Sequence, residues 1–168
     1  MKKRLKEICL AESIEYCGIA PPGPFRELRD VLSERISKGY YSGLEEKDLD
    51  KRIDPSLTMH DVKSIIVCLF PYYFRTDEEC NISTHARGPD YHAVVIDRLN
   101  KIGAALQKEI PEFEFMSFTD NGPLVDRYLA YLAGLGFYGD NNCLINEKYG
   151  SFVFIGYILN NYPFKPDK

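Results

Sequence analysis

Asp120 lies in the segment Phe118-Thr119-Asp120-Asn121-Gly122-Pro123, between an alternating apolar stretch and a helix-like one. Two roles are open to a carboxylate there. It can cap the following helix, accepting a backbone N–H from Gly122 or beyond. It can also line a pocket whose apolar walls, supplied by Phe118, Leu124 and Phe137, raise its pKa until it delivers a proton. Arg127 follows within the same helix-like stretch. It either pairs with a surface carboxylate or turns inward as a forked clamp for an anion. A second polar group of interest is Arg87-Gly88-Pro89-Asp90-Tyr91-His92. Its crowding of side chains into one turn makes His92 and Tyr91 candidates for a site, against the simpler view of His92 as a partly exposed polar residue.

The segment Gly134-Leu135-Gly136-Phe137-Tyr138-Gly139 matches G-x-G-x-x-G by letter. It follows a helix and precedes a strand, the reverse of the dinucleotide-binding order, so a Rossmann site is rejected. Glycines at these positions let a backbone turn tightly and approach a large flat ligand. Metal ligands are not apparent. His60, His85 and His92 lack H-x-x-x-H spacing, and Cys9, Cys17, Cys68, Cys80 and Cys143 include no C-x-x-C pair. That spacing argues against a disulfide scaffold and against a zinc or iron–sulfur site within this chain, and no residue is assigned to a metal.

The elements that must position these residues follow from periodicity. The chain has 168 residues, of which 45% are hydrophobic and 27% charged, enough for one domain with a real core. The net charge of −4 gives no global case for nucleic-acid binding. The longest apolar run, Ile65–Phe70, cannot span a bilayer, and the amino-terminal segment is too polar for a signal sequence. A soluble, cytoplasmic protein with no membrane partner is expected. The 12 tyrosines and 10 phenylalanines serve packing first, although Tyr40-Tyr41 and Tyr138 stand beside glycine turns and suit a pocket.

Helices are predicted over residues 2–16, Phe25–Ser37, part of Glu45–Asp54, Asp90 to about Glu109, and Pro123–Ala133. In the second of these Val31, Leu32 and Ile36 belong to the apolar stripe, and in the fourth Val94, Val95, Leu99, Ile102 and Leu106 face the core. Strands are predicted at Gly18–Ala20, at the doubly buried run Ser64–Phe70, and at Glu112–Phe118. A closing hairpin joins Cys143–Glu147 to Ser151–Asn160. Arg75–Pro89 is a long irregular loop of the kind that carries function. The order favours an α+β domain of layered sheet and helices, with a mixed or mostly antiparallel sheet. Residues 1–160 form this single domain, and 161–168 read as an exit or linker.

The segments HARGPDYHAVVIDRLNKIGAAL, TDNGPLVDRYLAYLAGLGFYGDNNCLIN and GSFVFIGYIL together resemble the amino-terminal half of the epoxyqueuosine reductases, cobalamin-dependent iron–sulfur enzymes that act on tRNA. The resemblance runs over nearly the whole chain and is densest in residues 85–160. It implies a cobalamin-binding domain of the nitroreductase-like, corrinoid-binding type. It further implies that Asp120 donates the proton that lets the epoxide oxygen leave, that Tyr91, His92 and Arg127 are pocket residues, and that Gly134, Gly136, Phe137 and Gly139 line the corrin. Two 4Fe–4S clusters would belong to a carboxy-terminal module beyond Lys168, and tRNA would be a partner of the longer protein. A stand-alone corrinoid- or flavin-binding module with another substrate is the alternative. Asp140 and Pro89 stand where the family commonly has basic residues, and Phe137 where it has Trp.

Overall fold

In the computed structural model, which describes residues 1–40, 42–75 and 80–167, the elements follow in this order. They are α1 (Lys2–Ala11), β1 (Tyr16–Ala20), α2 (Leu28–Ser37), α3 (Leu49–Ile53), β2 (Ser64–Pro71), α4 (Tyr91–Gln107), β3 (Phe115–Thr119), α5 (Asp126–Leu132), β4 (Phe137–Tyr138), β5 (Leu144–Ile145) and β6 (Val153–Asn160). Tyr41, Lys168 and residues 76–79 of the Arg75–Pro89 loop lie outside the described residues.

Four strands form one antiparallel sheet in the order β1-β2-β6-β3. The two-residue period of a strand divides β2 between two cores. Ile66, Cys68 and Phe70 join Leu5, Ile8 and Cys9 of α1 and Val95, Leu99, Ile102 and Leu106 of α4 on one face. Ile65, Val67 and Leu69 meet Leu129 and Ala130 of α5 on the other. The molecule is thus a sheet between helical layers, with β2 buried on both faces as its unbroken apolar run predicts. Each buried aliphatic side chain contributes about 1.5–3 kcal/mol. Two glycines let the layers close. A Cβ at Gly156 would lie 2.7 Å from Val95 of α4, and one at Gly18 would collide with the Ala133 carbonyl at the end of α5.

Several predicted boundaries shift. The helix expected from Pro123 begins at Asp126, because residues 120–125 instead make the turn out of β3. α1 stops at Ala11, and β1 starts two residues before Gly18. Val31 and Ile36 are exposed, leaving Leu32 as the buried residue of α2, and Val94 lies on the outer side of α4. The closing hairpin is re-paired. Leu144–Ile145 bonds to Phe137–Tyr138, not to β6. The cause is a tight turn over Gly139–Cys143, in which the Gly139 N–H donates to the Cys143 carbonyl at 2.9 Å, while Lys148-Tyr149-Gly150 closes only an isolated Asn146–Gly150 bridge. Residues 161–167 pack back on the domain. Phe164 is buried, and Asp167 exchanges hydrogen bonds with the backbone N–H and C=O of Ile19. Among the described residues, no helix is long and apolar enough to cross a membrane.

Candidate functional site

α4 begins at Asp90, whose carboxylate accepts the His92 backbone N–H at 3.0 Å and so caps the helix. This cap places Tyr91 and His92 in the first turn, facing the loop that leaves β3. Tyr91 stacks flat on Phe154 of β6, with ring centroids 3.9 Å apart and planes 3° from parallel. From there its hydroxyl donates to Asp120 Oδ2 at 2.6 Å. His92 Nε2 stands 3.4 Å from the same oxygen, and its Nδ1 is 2.8 Å from Asp90 Oδ1. The imidazole therefore bridges two carboxylates. Asp90 first, and Asp120 with it, raise the His92 pKa above its ordinary value. Burial, then the bond to Asp120, raises that of the Tyr91 hydroxyl.

Asp120 itself does not cap α5, whose N-cap is Val125. It sits in left-handed backbone, with φ 56°. Its N–H is held by Asp126 Oδ2 at 3.0 Å. Aspartate is one of the few side-chain-bearing residues that enters this conformation readily. Its side chain is 62% exposed, and of the three apolar walls expected around it only Leu124 reaches the same cavity. The buried acid of the site is Asp126. Its Oδ1 is fully covered and has no hydrogen-bond partner among the described residues. Burial pushes its carboxyl up to about 7; the Asp120 N–H works against that shift, and the Asp120 charge adds to it.

These groups line a cavity of about 330 Å³ that holds Arg52, Tyr91, Asp120, Asp126, Arg127 and Phe154 among its walls. Arg127 donates to the Asn142 carbonyl, so it ties the β4–β5 turn to this cavity instead of pairing with a surface carboxylate. Arg52 is the other unforeseen member. Its Nε is also covered and unpartnered among the described residues. It lies on α3, within a charged stretch that reads from sequence as a solvated face. Asp126 likewise reads as an ordinary first-turn helix acid, and only its place beside Arg127 hints at more.

The remaining predicted residues lie elsewhere. Gly134 (φ 68°) terminates α5, with the Leu135 N–H bonding back to Ala130. Gly136 and Gly139 are crowded by Ile145 of β5, so their close backbone approach is to this chain's own strand. Phe137 is exposed on β4 and is not among the cavity's walls. A second cavity of about 410 Å³ includes Arg35, Glu45 and Arg52. Glu45 is committed there to Ser42 and Arg35, and these hold its carboxyl down at about 2.

Chemically, the first cavity offers a carboxyl at its mouth, oriented by a phenol that donates a hydrogen bond to it and approached by an imidazole, and a second, buried acid whose pKa burial raises to about 7. Residues 52–121 match the family model described as Epoxyqueuosine reductase QueG, DUF1730. The chain is 36% identical to an epoxyqueuosine reductase of Bacillus cereus, over 99% of its own length and 47% of that protein's. Its fold matches the epoxyqueuosine reductase from Streptococcus thermophilus with a TM-score of 0.93 at 28% identity, covering 100% of this chain and 48% of that one. It also matches an epoxyqueuosine reductase crystallised with an epoxyqueuosine-modified tRNA-Tyr stem loop, with a TM-score of 0.91 at 31% identity, covering 99% of this chain and 46% of that one. The chain spans about half the length of the relatives it matches.

Proposed function

The chain is a relative of the epoxyqueuosine reductases across about half of their length, and from that premise we propose that it forms the proton-delivering, cobalamin-binding part of such a reductase, acting on epoxyqueuosine in tRNA. The observation that carries this is the hold on Asp120 at the cavity mouth, by Tyr91 at 2.6 Å and His92 at 3.4 Å.

Removing an epoxide oxygen as water consumes two electrons and two protons. Asp120 delivers a proton to the departing oxygen. His92, whose pKa Asp90 raises, returns one to Asp120 through Nε2. Tyr91 orients the carboxylate, and Asp126 fixes its backbone in the left-handed turn.

The cavity's donors suit a corrin. Arg52 Nε needs an acceptor and Asp126 Oδ1 needs a donor, and the amide side chains around a corrin rim supply both. Arg52, Asp126 and Arg127 would hold those amides. When bound, the group supplies the electron pair that the deoxygenation consumes.

The test is titration of the protein with hydroxocobalamin, followed by visible absorption, in the wild type and in Asp120→Asn. Both should bind with a shifted spectrum. With a low-potential chemical reductant and an epoxyqueuosine stem-loop RNA, the wild type should form product and Asp120→Asn should fall by at least about a hundredfold, the usual scale of acid–base catalysis. Equal turnover by the two proteins would exclude the role given to Asp120. Absence of binding at high micromolar cofactor, or a flavin spectrum in the purified protein, would exclude the corrin.

A further inference from the structure

The three cysteines Cys9, Cys17 and Cys68 converge although the sequence separates them widely. Cys9 comes from α1, Cys17 from β1 and Cys68 from β2, where Cys17 and Cys68 are direct partners across the strands. Their sulfurs all lie within 4.8 Å of one another. Cys9 and Cys68 are buried, and Cys17 is partly exposed.

From this juxtaposition we infer that the cluster is a three-thiolate site for one zinc ion. Zinc–sulfur bonds of about 2.3 Å set three coordinated sulfurs roughly 3.8–4.0 Å apart, so the cluster needs at most a small contraction. Cys9 and Cys17 also line a cavity of about 280 Å³, together with Lys6, Glu15 and Tyr16. An ion thus has a path from solvent, and water has room to be the fourth ligand. Thiolates select soft or borderline ions, chiefly zinc and monovalent copper. Charge favours zinc. With three thiolates it leaves one net negative charge, against two for copper, and Lys6 at the cavity supplies one positive charge, while Glu15 there is paired with Lys148. On binding, three S–H bonds break, three Zn–S bonds form and three protons pass to solvent, with no change of oxidation state.

A buried cysteine is also a serviceable small apolar residue, so a cluster that only packs is the competing account. The test adds one equivalent of zinc to the reduced chain and measures bound metal, and then alkylates with iodoacetamide and maps the labelled thiols by mass spectrometry. The expected result is one zinc per chain, with Cys9, Cys17 and Cys68 protected while exposed Cys80 still reacts. Cobalt(II) in place of zinc should give sulfur-to-metal charge-transfer absorption in the near ultraviolet. Cys68→Ala should weaken zinc binding by more than about a hundredfold, beyond the loss caused by removing an outer-shell partner, and Cys80→Ala should leave it unchanged. No stoichiometric zinc, or labelling of the three wild-type thiols at the same rate with and without zinc, would overturn the assignment. The wild-type labelling decides the matter even if Cys68→Ala fails to fold.

Discussion

The Tyr91 hydroxyl donates to Asp120 Oδ2 across 2.6 Å, linking the first turn of α4 to the turn out of β3. The bond sets where the carboxylate points, because the Tyr91 ring is fixed flat against Phe154. It joins two parts of the chain that are 29 residues apart.

Tyr91→Phe keeps the ring stack and removes only the hydroxyl. A hydrogen bond to a charged group is worth about 1.5–3 kcal/mol. Turnover on an epoxyqueuosine substrate should therefore fall by about tenfold or more, with the melting temperature shifted by a few degrees at most. Unchanged turnover in steady-state assays would mean that the hydroxyl does not position Asp120 in the working state.

The His92 pKa is raised in the folded chain, chiefly by Asp90. The stabilisation from these pairs is fully present below the unfolded value near 6.5 and fades as pH rises through the raised folded value. NMR titration of the imidazole should show a midpoint above 6.5. Asp90→Asn should lower that midpoint further than Asp120→Asn does. The opposite ranking would give Asp120 the larger hold on the ring.

Asp126 gives pH dependence from a buried acid. Its pKa is raised to about 7, so folding favours the protonated form. Its contribution is complete below the unfolded value near 3.9 and is lost as pH rises through about 7. Asp126→Asn keeps an oxygen for the Asp120 N–H and has no charge to bury. Thermal melts should find the variant more stable than the wild type at pH 8, with the gap closing towards pH 4. Parallel melting curves across that range would show that the carboxyl is solvated.

Elements whose evidence lies within one segment were legible in the sequence. The run Ser64–Phe70 announced a central strand, and the spacing of Val95, Leu99, Ile102 and Leu106 announced the buried face of α4. The segment Arg87–His92 was readable as a crowding of polar side chains, and the structure brings Tyr91 and His92 to Asp120. Partner choice was not legible. Residues 143–147 had two available turns, and the backbone bonds over Gly139–Cys143 decided for β4. Arg52 and Asp126 carry ordinary local signals, and only the layering of α3 and α5 around one cavity makes them exceptional. The thiol cluster escaped for the same reason. Spacing rules seek ligands on one segment, and these three come from a helix and two strands.

Arg52 lines both the cavity beneath Asp120 and the larger one beside α2. The partition between the two compartments therefore includes a single long side chain with several rotatable bonds. The boundary between them is thus made in part by a charged side chain whose Nε is covered and unpartnered among the described residues, and a change at this one position bears on both compartments at once.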